Sequence, residues 1–262
     1  MPSEFDDDTA LTAEAPGRYR GAISDRWSVL SGVPNGGLVM CYALRGLALA
    51  LPQPDPLSLT AHFLRPARVG SVTVDVEVIK VGKRNATAVA RLIQDEAEIL
   101  RAIGLFGRLD DGARALIAGE PPPLPAREQC VAGRGAPGLP RIAERFDNRF
   151  DPATVGWMAG RPSGDMVIRA WMRLADGREP DALAMPLFAD GLPPPLFNQV
   201  TPGWVPTLEL TVHFRARPAP GWLRAQFRTR FVSGGLLDED GELWDDAGQL
   251  VALSRQLAAL PR

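Results

Sequence analysis

The stretch LSLTAHF, Leu57 to Phe63, returns as LELTVHF, Leu208 to Phe214, with five of seven letters unchanged 151 residues downstream. The chain's only two histidines, His62 and His213, occupy the same place in the two copies. RPA and a nearby glycine follow each copy: Arg65-Pro66-Ala67 then Gly70, and Arg217-Pro218-Ala219 then Gly221. A chain that repeats a strand and its exit in this way is expected to fold as two related halves. Each half alone would leave part of its sheet and helix unburied, and two side by side can close that gap.

Near the midpoint between the copies, Gly119 to Pro140 (GEPPPLPAREQCVAGRGAPGLP) breaks every periodic pattern. Proline and glycine at that density read as a linker or long loop. The organisation expected is a first half over residues 1–118, a Pro/Gly-rich connector over 119–140 and a second half over 141–262. GRGAPG, Gly133 to Gly138, spells G-x-G-x-x-G, but no strand precedes it and no helix follows, so it reads as linker.

In the first half, Gly17 to Val29 is a candidate strand ending at SGVPNGG, a turn signal. Leu38 to Leu51, LVMCYALRGLALAL, is apolar nearly all round and rich in helix formers, which predicts a helix buried on most sides. Four strands are expected after PQPDP: Leu57 to Leu64, Ser71 to Val81, Asn85 to Ile93 and Glu98 to Phe106. In the second of these, Val72, Val74, Val76 and Val78 alternate with polar residues. In the second half, Phe146 to Phe150 and Asp165 to Arg173 are expected strands, and Pro180 to Asp190 the helix. Thr207 to Arg215, Trp222 to Val232, Gly241 to Asp245 and Leu250 to Leu257 follow as strands. A helix followed by a run of antiparallel strands, duplicated, is an α+β arrangement.

Composition removes several functions. The 262 residues are 45% hydrophobic and 23% charged with a net charge of -2, which gives no electrostatic case for nucleic acid or an anionic membrane. The longest apolar run holds Arg45 and is too short to span a bilayer. Cys41 and Cys130 lack C-x-x-C spacing, so neither a zinc site nor a disulfide framework is expected. The acidic start, MPSEFDDDTALTAEAPGRYR, has no apolar core of the signal-peptide kind, and a cytoplasmic protein is expected. No G-x-S-x-G elbow, P-loop or H-E-x-x-H occurs.

Three segments carry a resemblance: PNGG before the buried helix, PDPLSLTAHFLRPARVGSVTVDVEVIKVGK, and ATAVARLIQDEAEILRAIGLF. With them the chain resembles the acyl-CoA thioesterase II family. The resemblance implies a double hotdog, two tandem domains each with an antiparallel sheet wrapped round a central helix, and acyl-CoA held between them. It implies thioester hydrolysis by a water that an Asp, a Thr or Ser, and a Gln of the second half orient together. Those roles fall on Asp190 in AMPLFADGLPPP, Thr207 in VPTLELTVHF and Gln256 in AGQLVALSRQL. Spacing from Arg215 and Trp222 would set the hydroxyl one residue earlier, at Pro206, and a slip of one on a strand turns a side chain to the other face.

The NGG turn adds Asn35, Gly36 and Gly37 as substrate-binding residues, with backbone N–H groups at a helix start facing the thioester oxygen. Neither a metal nor a redox cofactor is expected; coenzyme A enters as part of the substrate. The resemblance suggests a homodimer or higher homo-oligomer. Two other readings of the same fold stay open. One is a hotdog that binds acyl-CoA without cleaving it, and the other an acyl-thioester hydratase or dehydratase, for which His62 is the candidate base.

Overall fold

The structure, a computed structural model, describes residues 3–29, 31–110, 119–135, 138–200 and 202–260. Among them, fourteen strands form one antiparallel sheet. The first half supplies β1 (Thr12–Ala15), β2 (Arg18–Ile23), β3 (Asp55–Phe63), β4 (Gly70–Val81), β5 (Ala86–Gln94) and β6 (Ala97–Gly107). The rest of the chain supplies β7 (Val131–Ala132), β8 (Arg149–Phe150), β9 (Val167–Met172), β10 (Thr207–Phe214), β11 (Leu223–Arg228), β12 (Val232–Ser233), β13 (Leu236–Trp244) and β14 (Leu250–Ala259). The order across the sheet is β1-β2-β4-β5-β6-β3-β10-β14-β13-β11-β9-β8-β7, with β12 beside β13.

This order explains the repeated heptapeptide. Outward from the β3–β10 seam, the first half runs β6, β5, β4, β2 and the second runs β14, β13, β11, β9, so the halves mirror each other. The two copies pair with each other: Thr60 lies opposite Thr211, Leu59 opposite Val212, and His62 opposite Glu209. Equivalent threonines meet at the centre, their hydroxyls 2.9 Å apart. A local two-fold axis therefore passes between Thr60 and Thr211, and the same residue must suit both sides of it. Burial alternates along β10, with Leu210, Val212 and Phe214 inside and His213 outside.

The helices break the symmetry. In the first half, α2 (Gly36–Ala50) packs against β2, β3, β4, β5 and β6. Asn35 caps it, its side-chain oxygen accepting the Leu38 N–H at 2.9 Å, and Pro52 follows its last turn. Gly46 lets the helix lie close to the sheet, since a Cβ there would come 2.7 Å from Val74 Cγ1. The helix expected over Pro180–Asp190 is instead a 3-10 turn, Ala182–Ala184, and the short α3 (Met185–Ala189). Gly191 and Pro193 to Pro195 come directly after, and no helix can run through them.

Other boundaries also differ from expectation. Gly17–Val29 divides into β2 and a 3-10 turn at Asp25–Trp27. Phe146–Phe150 keeps only two strand residues, with Phe146 in an isolated bridge to Leu174. Trp222–Val232 divides into β11 and β12, and β13 begins five residues before the expected Gly241. Of the alternating valines of β4, Val72 and Val74 are buried while Val78 is 44% exposed, and the β4–β5 register shifts just beyond it, between Val78 and Lys80. Part of the connector is ordered sheet, with β7 pairing with β8. The boundary expected at residue 118, and residues 136–137 of GRGAPG, lie outside the described residues.

The halves share one core. An edge-to-face chain of rings, Phe5–Trp27–Phe146–Phe188, crosses from one to the other with centroids 5.6 to 6.5 Å apart. Phe5 belongs to α1 (Glu4–Asp8), where Asp6 pairs with Arg45 of α2 and Arg178 of the second half at 2.6 and 2.8 Å. Asp55 of β3 is buried against Arg217 beyond β10, at 2.6 Å. No helix among the described residues is long and apolar enough to cross a membrane.

Candidate active site

The end of α3 meets the start of α2. The approach is so close that a Cβ on Gly37 would lie 2.3 Å from the Pro186 carbonyl oxygen and 2.8 Å from Asp190 Cβ. Glycine at 37 is thus a packing requirement. Asp190, which caps the C-terminus of α3, is thereby held against the N-terminus of α2. Its Oδ2 accepts the Gly37 N–H and an Asn35 Nδ2 proton, each at 2.8 Å, and Asn35 Nδ2 also reaches the Asp190 carbonyl at 2.8 Å.

Two effects set this carboxyl's acidity. Burial raises its pKa, while the Gly37 amide, the Asn35 amide and the Gly36 amide favour the anion and pull it back. Burial wins, and the pKa rises from 3.8 to about 6. Protein packs round the group on every side, yet the residue also lines a cavity through which solvent touches part of it.

These contacts alter the expectation for the NGG turn. Its Gly37 N–H and Asn35 amide, expected to face substrate, are engaged by Asp190. Asn35 is used twice over, as helix cap and as brace. Asn35 and Gly36 still lie on the cavity wall.

On the sheet, Thr207 pairs with Ala258 and Glu209 with Leu257, so Leu208 is an extra residue bulged out of β10. The bulge decides which way Thr207 faces. In a regular ladder Thr207 would share the outer face with Glu209; the extra residue returns it to the inner face with Leu210 and Gln256. There Gln256 Nε2 donates to Thr207 Oγ1 at 2.9 Å. Gln256 Oε1 is buried with no hydrogen-bond partner.

Asp190 and Gln256 line one cavity of about 390 Å³. Much of its remaining wall is apolar: Val29, Val33, Ile142, Phe150, Trp157, Met158, Leu192 and Phe197, with half-exposed Trp204. Leu192 to Phe197 come from the segment that follows α3 and Asp190. A greasy slot of this volume with a few polar groups at one place has the character of a small-molecule site. His62 and His213 are exposed, and neither lines it.

One polar residue escaped sequence reading. Glu239 sits inside the sheet opposite Gln256, within Asp238-Glu239-Asp240. It falls between the expected strands Trp222–Val232 and Gly241–Asp245, and only the extension of β13 back to Leu236 reveals that it faces inward.

Comparison with known proteins agrees with this architecture. Residues 23–107 match the N-terminal domain model of acyl-CoA thioesterases and residues 118–260 the C-terminal domain model. The chain is 28% identical to an uncharacterised protein of Mycobacterium tuberculosis, over 93% of this chain and 91% of that one. A candidate thioesterase II from Thermobifida fusca superposes with a TM-score of 0.92 at 31% identity, over 99% and 98% of the two chains. The hotdog protein of unknown function from Alicyclobacillus acidocaldarius gives 0.86 at 23% identity, over 100% and 99%. For the acyl-CoA thioesterase II TesB2 of Mycobacterium marinum the score is 0.72 at 20% identity, over 97% of each, a likeness of fold. With both domain models matched in order on one continuous sheet, the chain belongs to the acyl-CoA thioesterase family and has its double hotdog fold.

Proposed function

We propose that the protein hydrolyses acyl-CoA to a carboxylic acid and free coenzyme A, using one water held by Asp190, Thr207 and Gln256. Asp190 Oδ2 is tied to the start of α2, and Oδ1 is assigned to the water. With a pKa of about 6 the carboxylate is ionised at neutral pH yet basic enough to take a proton as the water attacks. Thr207 accepts from Gln256, so its own hydroxyl proton is available to the water or to the oxyanion. Attack on the carbonyl carbon forms the carbon–oxygen bond, the tetrahedral intermediate collapses with loss of the thiolate, and the proton on Asp190 goes to that sulfur. The apolar wall suits the acyl group.

The single observation that carries this reading is that Asp190 and Gln256, from separate elements, lie on the wall of one apolar cavity, with Thr207 bonded to Gln256. The test is release of free thiol from a panel of acyl-CoAds of different chain length, catalysed by wild type, Thr207→Val and Gln256→Ala. Turnover by wild type with a loss of about tenfold or more in each variant is expected, the scale of removing one positioned hydrogen bond from a transition state. Tight acyl-CoA binding without thiol release would replace hydrolysis by simple binding.

A further inference from the structure

Along β13, Leu237, Glu239, Gly241 and Leu243 are buried, one face of the strand. Three of those positions are apolar or glycine, as an inner face demands; Glu239 is only 8% exposed. An unpartnered oxygen stands beside it in the ladder. On β14 its register partner is Gln256, whose Oε1 is buried without a hydrogen-bond partner. The β11–β13 ladder ends at Arg228 opposite Asp240, so beyond it no β11 partner stands against Glu239. An amide oxygen can only accept. A buried acceptor left empty is costly, and the donor β13 can bring to it is the carboxyl proton of Glu239.

Resting on the hydrolase reading above, we propose that Glu239 donates its carboxyl proton to Gln256 Oε1 and so fixes which way the Gln256 amide faces. It is a positioning residue. A Gln side chain can turn its oxygen and nitrogen about, and Thr207, which both donates and accepts, would satisfy either orientation. A donor on the Oε1 side breaks that tie. Gln256 Nε2 then points at Thr207, and the Thr207 proton is directed onward to the reacting water.

The surroundings favour the protonated form. Burial first, then the negative charges of Asp190 and Asp240, raise the Glu239 pKa to about 8. Asp190 acts on it from the end of α3, while β14 presents the neutral Gln256. The nearby cations are directed elsewhere: Arg255 pairs with Asp238 and Asp240, and Arg230 with Asp240. As an acid whose folded-state pKa is raised, Glu239 is protonated at neutral pH and loses its proton only in mild alkali.

The experiment compares wild type, Glu239→Gln and Glu239→Ala by pH–rate profile, and follows the Gln256 side-chain amide by NMR from about pH 6 to about pH 10. In wild type the Gln256 amide signals should titrate near pH 8, together with an alkaline fall in thiol release. Glu239→Ala should lose about tenfold in kcat, and Glu239→Gln, a donor that cannot titrate, should recover most of that loss and show no alkaline fall. Gln256 signals that are flat with pH in wild type, or the same alkaline fall in Glu239→Gln, would overturn the proposal. Because the NMR titration needs no substrate, it decides the role of Glu239 even if no acyl-CoA is cleaved, and it does not require the alanine variant to fold.

Discussion

Replacing Asp190 by Asn should stabilise the protein and silence it. An acid whose pKa is higher folded than unfolded adds stability while protonated. That contribution is fully present below the unfolded value of 3.8 and is lost as pH rises through about 6. The difference of roughly two units corresponds to about 3 kcal/mol at about 1.4 kcal/mol per unit. Solvent in the cavity screens part of it, so about 1–2 kcal/mol is expected above pH 7. Asparagine keeps an oxygen for the Gly37 and Asn35 donors and carries no charge to desolvate. Thermal denaturation from about pH 4 to about pH 8 is the assay, with a gain in Tm of a few degrees at the alkaline end, scaled by roughly 2–4 °C per kcal/mol. At the acid end the two proteins should converge. Thiol release by the variant should fall to background. A variant less stable than wild type at pH 8, or one that still cleaves acyl-CoA, would refute the account of Asp190 as a carboxylate held in its anionic form at a cost in stability for the sake of chemistry.

Two further outcomes follow from the geometry. Deleting Leu208 should leave a regular ladder in which Thr207 still pairs with Ala258 on the inner face, so thiol release should be largely kept while Thr207→Val loses about tenfold; a deletion variant as impaired as Thr207→Val would refute this account of the bulge. Gly37→Ala puts a methyl 2.3 Å from the Pro186 carbonyl oxygen; α2 and α3 must separate, and a loss of about 1–3 kcal/mol in urea unfolding is expected along with a lower pKa for the acid limb of the pH–rate profile as water reaches Asp190.

Much of the fold was legible without coordinates. The LxLTxHF repeat, the all-apolar helix and the valine alternation of β4 are local patterns, and local patterns report strands and buried helices directly. The two-fold seam was implicit in the repeat, since a strand that pairs with its own copy must carry the same residues. Asp190, Thr207 and Gln256 were all named from motif likeness. The orientation of Thr207 was not decidable, because a bulge depends on which residue of the partner strand is skipped. The second helix was read too long, because helix propensity in ALAMPLFA says nothing about where the chain must turn away. Glu239 fell between two expected strands.

By itself, then, the order of residues determined the duplication, the antiparallel α+β architecture, the buried first helix and the identity of the polar groups. Tertiary structure decided what those groups face. It set the start of α2 against Asp190, returned Thr207 to the inner face through one extra residue, and buried Glu239 beside Gln256. The reason is physical: side-chain identity travels with the sequence, but hydrogen-bond partners, desolvation and the face of a strand belong to neighbours that folding brings from far along the chain.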